Sequence, residues 1–193
     1  MFKRTIVAVA GALALAACGS TTGTTATTGT TATTGGPAAS ASAASFNDAD
    51  VMFAQMMIPH HRQAVRMADL AATRATDPEV RELASKIKAA QDPEITTLTG
   101  WLTAWGEPVE APMHHGMPGM LSDDDLARLG AAKGAAFDRL FAEQMIAHHE
   151  GAIEMAETEQ SDGRDPAAKA LAGQIAQAQK TEVAQLRKIL ERV

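Results

Sequence analysis

Phe53-Ala54-Gln55-Met56-Met57-Ile58-Pro59-His60-His61 returns 88 residues later as Phe141-Ala142-Glu143-Gln144-Met145-Ile146-Ala147-His148-His149. The register then holds without a gap. Ala64, Met67 and Ala68 fall on Ala152, Met155 and Ala156; Asp77-Pro78 falls on Asp165-Pro166; Leu83, Ile87, Gln91, Glu94 and Leu98 fall on Leu171, Ile175, Gln179, Glu182 and Leu186. A unit repeated within one chain packs its apolar face against its copy. Alanine, leucine, methionine, glutamate and glutamine dominate, and no alternating β-branched run occurs, so the repeated elements are helices.

Each half is predicted to hold two helices. The first runs from near Asn47 or Phe137 to about Thr73 or Glu159, and the second opens at Asp-Pro and runs past Leu102 or Leu190. Asp77 and Asp165 can cap the free amides of a first turn, and Pro78 and Pro166 suit a position that needs no donor. Pro59 lies inside the first helix, but its counterpart is Ala147, so a kink is expected there rather than an end. Pro93 stands opposite Thr181, which likewise favours continuity. The expected fold is all-α, a four-helix bundle with a pseudo-twofold axis, spanning about residues 46–193 as one domain.

At 100° per residue, Phe53, Met56, Met57, His60, His61, Ala64, Met67 and Ala68 occupy about 140° of arc, with Gln55, Arg62 and Arg66 opposite. The second half repeats the arc with Phe141, Met145, His148, His149, Ala152 and Ala156. All six histidines of the chain occur as adjacent pairs, and nine of its ten methionines lie within eight residues of a pair. Imidazole and thioether together are ligands that suit copper. Adjacent side chains diverge by about 100°, whereas spacings of three and four converge, so Met57 with His60 or His61, and Met145 with His148 or His149, are the natural chelating groups.

The second helices put Leu83, Ile87, Ala90, Glu94, Leu98 and Trp101 on one stripe with Gln91 at its edge; Glu182 and Gln179 repeat the polar positions. A carboxylate on such a stripe needs a partner, because burying it alone costs several kcal/mol. Glu94 and Glu182 can orient metal-bound imidazoles, or they can pair with the core histidines in a purely structural network. Between the halves, the connection at 106–121 carries Met113-His114-His115-Gly116-Met117-Pro118-Gly119-Met120, which shows no helical or strand period. Its three thioethers (Met113, Met117, Met120) and two imidazoles can wrap Cu(I). Ser122-Asp123-Asp124-Asp125 then looks like a capped helix start leading to a break near Gly130.

The first 18 residues read as an export signal, with Lys3 and Arg4 ahead of an apolar run too short to span a membrane. Leu15-Ala16-Ala17-Cys18-Gly19 resembles the lipobox of bacterial lipoproteins, which makes Cys18 the expected lipidation site. Residues 19–45 are Thr, Gly, Ala and Ser with one proline, a disordered tether with ends roughly 30 Å apart. The chain is therefore expected in the cell envelope, held to a membrane by a lipid and facing the periplasm or exterior. A net charge of -6 gives no support for nucleic-acid binding, and a homodimer is left open. No Glu-x-x-His unit of a di-iron oxidase occurs, and no nucleophile motif is present, so the reading is a binding protein without catalytic residues.

The twin Met-Ile-x-His-His segments, the Gln-x-x-Glu of each second helix and the Trp101-Leu102 ending resemble domain-of-unknown-function family 305 over about residues 46–193. The resemblance implies a ferritin-like four-helix bundle and, since some members are periplasmic or secreted proteins implicated in copper binding and resistance, a copper ligand set at His60, His61, His148 and His149 with Met57 and Met145 beside them. The competing expectation is a structural or interaction module whose histidines only satisfy Glu94 and Glu182.

Overall fold

The computed structural model describes residues 45–110 and 116–193. Four long helices carry the fold: α1 (Asp48–Arg74), α2 (Pro78–Trp105), α4 (Ala135–Asp162) and α5 (Pro166–Leu190), with a short α3 (Asp123–Ala131) between the halves. Asp77 and Asp165 cap α2 and α5 as expected, each accepting from two first-turn amides ahead of a proline. Ser122 and Asp125 form a capping box that starts α3. Pro59 and Pro93 both lie within helices that continue past them.

Two apolar clusters fill the interior. Along α1 the first cluster takes Phe53 to Ile58 and the second takes Ala64 to Ala71; along α4 the order reverses, with Phe137 to Met145 in the second and Ala152 to Ala156 in the first. In α2 and α5, likewise, Leu83 and Ile87 are separated from Leu98, and Ile175 from Leu186, by the stretches holding Gln91, Glu94, Gln179 and Glu182. The repeat thus builds two hydrophobic halves with a polar layer between them.

The halves also lock each other at their turns. Asp138 of α4 accepts from Thr76 N (3.1 Å), Thr76 Oγ1 (2.6 Å) and Asp77 N (3.0 Å), holding the α1–α2 turn. Its repeat counterpart Asp50 accepts from Arg164 N (3.0 Å) and Asp165 N (2.9 Å), holding the α4–α5 turn. Both carboxylates are buried, and hydrogen bonds from several amides are what make a buried carboxylate tolerable.

Three sequence expectations need correction. Gln55, assigned to the outer face of α1, is buried, because the segment after α2 folds back over it and Pro108 O accepts from its Nε2 at 2.7 Å. Ala90 is exposed, and Gln91 takes the inward place one helical turn after Ile87. Glu94 and Glu182 are not enclosed: their side chains keep 20% and 16% exposure at the edge of the core, which lowers the cost of their charge.

Candidate metal centre

His60, His61, His148 and His149 lie in the polar layer, each with no solvent exposure. The pseudo-twofold brings His60 and His148 face to face, ring centroids 3.7 Å apart and planes tilted by 38°. His61 and His149 turn outward to the second helices, where Nε2 stands 2.8 Å from Glu94 Oε2 and 2.7 Å from Glu182 Oε2. These contacts are close but lack the alignment of hydrogen bonds. Adjacent histidines therefore do different things, as their divergence on the helix requires.

The nitrogens left over define the chemistry. Among the described residues, Nδ1 of all four histidines lacks a hydrogen-bond partner, as does Nε2 of His148. His60 Nε2 lies 3.1 Å from Pro118 O; a carbonyl can only accept, so Nε2 carries the proton and Nδ1 carries the free lone pair. Burial, followed by the charge of His61, pushes the His60 pKa down to about 3, and burial with His60 as neighbour pushes His148 well below the usual value. Both rings are neutral at physiological pH, which is the form that binds a metal.

Met57 and Met145 are fully buried on opposite sides of the layer, one in each apolar cluster. Gln91 and Gln179 are buried in the layer, and each leaves Oε1 unpartnered. Among the described residues, no three His, Cys, Asp or Glu side chains form a set that could hold an ion. The donors within and beside the layer are imidazole nitrogens, amide oxygens and thioether sulfurs.

The described part of the connection between the halves reaches the core. Besides the Pro118 contact with His60, Leu121 N donates to Gln63 Oε1 (2.8 Å) and Leu121 O accepts from Gln63 Nε2 (3.0 Å). Gly119, at φ 74°, sits against the α4 backbone at Ala147 and His148, and a Cβ on Gly151 would overlap the Pro118 carbonyl. Gln63 and Gly151 are counterparts 88 residues apart, so the duplicated helices have diverged at one position to seat the crossing chain. Met117 and Met120 are half-buried on this segment. Met113, His114 and His115 lie outside the described residues, as do Cys18 and the leader and tether apart from Ser45.

Sequence reasoning missed a carboxyl pair. Glu159 is 1% exposed beside Asp50. Burial, then the neighbouring Asp50, pushes its pKa up to about 8. Burial alone would raise Asp50 too, but Glu159 and the amides of Asn47, Asp165 and Arg164 outweigh it and hold that carboxyl below its usual range. Asp50 and Asp138 were visible as repeat partners; Glu159 was not, because its counterpart is Ala71.

Comparison with known proteins agrees with this architecture. The family model for a domain of unknown function, DUF305, matches residues 50–190. A DUF305 protein of Streptomyces coelicolor is similar at 32% identity and a TM-score of 0.69, over 74% of this chain and 92% of that one. A DUF305 fragment from Deinococcus radiodurans is similar at 30% identity and 0.70, over 76% and 98%. CopM in its Cu(II)-bound form is similar at 33% identity and 0.65, over 74% and 95%, and CopM has also been solved with Cu(I) and with silver bound. No curated protein matches. With its two helix hairpins, central histidine layer and family match over most of its length, the chain belongs to the DUF305 family.

Proposed function

We propose that this protein is an exported, lipid-anchored copper-binding protein that sequesters copper or passes it on in the cell envelope. The observation that carries the reading is the set of four fully buried imidazoles whose Nδ1 atoms have no partner among the described residues. A buried polar group left unpaired costs about 1–3 kcal/mol, so such a layer is a poor choice for a core unless something else uses the lone pairs. His60 and His148, face to face, are the primary ligands. His61 and His149, set by Glu94 and Glu182, complete or gate the site, with Met57 and Met145 supplying sulfur.

The Met113–Met120 segment is the second element of the reading. Its described part brings Met117 next to Pro118, whose carbonyl touches His60, and the thioethers and imidazoles of its sequence make it an acceptor for incoming copper. Export and anchoring rest on the leader and Cys18. Copper titration of the full chain, of a variant with all four core histidines changed to alanine, and of a variant with Met113, His114, His115, Met117 and Met120 changed to alanine tests the assignment. The core substitutions are expected to remove bound copper that the loop substitutions leave in place; unchanged stoichiometry in the core variant would overturn the core site.

A second reading is favoured by the two His–Glu contacts: a structural core in which His61 and His149 only neutralise Glu94 and Glu182. It requires that substitutions in the layer alter stability with no dependence on metal.

A further inference from the structure

The two ends of the bundle are related by the duplication but finished differently. At one end α3 lies over the groove between the close of α1 and the start of α4, with Leu129 fully buried and Leu121 and Leu126 packed beside it. At the other end, the groove between the start of α1 and the close of α4 has no such cover among the described residues. It is a cavity of about 350 Å³ whose wall includes Met52, Phe53, Met56, Pro118 and Met155.

The repeat accounts for Met155, which matches Met67, but not for the other two thioethers. The counterparts of Met52 and Met56 are Leu140 and Gln144. Met52 is 58% exposed and is the exposed large apolar side chain of the described residues, so its sulfur is open to an ion from solvent. The cavity also bears carboxylates, with Asp48, Glu154 and Asp162 at its edge and no basic side chain in its lining.

A wall of three thioethers under an anionic edge recognises a soft monovalent cation better than a hard divalent one or an anion. We propose that this groove is a second soft-metal site, distinct from the histidine layer, which takes Cu(I) or Ag(I) on Met52, Met56 and Met155. The site stands whether or not the histidine layer binds metal, since the two share no ligand.

Silver is the probe, because it is soft and stable in air. In the full chain labelled with ¹³C at the methionine methyls, added Ag(I) is expected to shift the Met52, Met56 and Met155 resonances together. The shifts should persist when His60 and His148 are changed to leucine and when Met113, His114, His115, Met117 and Met120 are changed to alanine. The combined Met52→Leu, Met56→Leu and Met155→Leu variant, which keeps apolar bulk and helix propensity, should lose one equivalent of bound Ag(I). Three unmoved resonances at silver saturation, or full stoichiometry in the triple variant, would overturn the proposal. Failure of the histidine site alone would instead show as unmoved imidazole resonances with these methyl shifts intact.

Discussion

His148→Leu separates a ligand from a structural histidine. The His148 ring is fully buried, and neither of its nitrogens has a partner among the described residues. Two unmet polar atoms cost about 1–3 kcal/mol each by comparison with an apolar group in the same place. Leucine is similar in volume, and repacking against His60 costs less than about 1.5 kcal/mol. The metal-free variant should therefore be more stable by about 1–2 kcal/mol, which for a domain of this size raises Tm by roughly 2–8 °C. The same substitution should abolish most of the stabilisation that copper gives, a term worth about 2.7 kcal/mol when the free ion is a hundredfold above Kd. Scanning calorimetry with and without Cu(I) under reducing conditions measures both. A metal-free Tm several degrees below the parent would refute the reasoning, because it would mean that the imidazole holds the fold together by an interaction the unpartnered nitrogens do not reveal. His61→Leu is the internal contrast: it strips Glu94 of its close contact, and since that carboxylate keeps some solvent, the loss should stay near 1 kcal/mol.

Further outcomes follow from the buried carboxylates and from the depressed histidines. Asp138→Ala leaves the Thr76 and Asp77 amides without their acceptor and should cost about 2–4 kcal/mol, read as a lower urea midpoint, with Asp138→Asn losing less. The unfolded chain protonates His60 near its ordinary value of 6.5, whereas the folded protein does so only near 3. Stability of the metal-free protein should therefore decline as pH falls through that window, and His60→Leu should flatten that limb of a pH-resolved denaturation series. Glu159 works in the opposite direction. Its folded value is raised from 4.5 to about 8, so the stability it contributes is complete below pH 4.5 and is lost as pH rises to about 8. Glu159→Gln should remove that slope, and an unchanged slope would show that the carboxyl is not held protonated.

The fold was legible because duplication and helix periodicity are local in sequence: the 88-residue register placed both hairpins, and Asp-Pro marked the start of both second helices. The face assignment of α1 held for the histidines and failed at Gln55, since no periodicity reveals that the chain returns from Gly106 to cover that side. Glu94 and Glu182 were correctly matched to histidines, but their partial exposure depends on helix rotation in the bundle. The contact of Pro118 with His60 was illegible for the same reason as the turn-locking role of Asp50 and Asp138. Each joins segments far apart in the chain through a single side chain, and a helical wheel carries no information about what crosses over it. Gly151, an unremarkable small residue in α4, gains its meaning only once Pro118 and Gly119 are seen to lie on it.

The central claim is that the histidine layer holds the metal, and an anomalous difference map from crystals of the protein loaded with Ag(I) tests it most directly. A peak within bonding distance of ring nitrogens of both His60 and His148 is the expected result. Peaks confined to the 113–120 segment or to surface methionines, with the four imidazoles unmoved and unliganded, would contradict it.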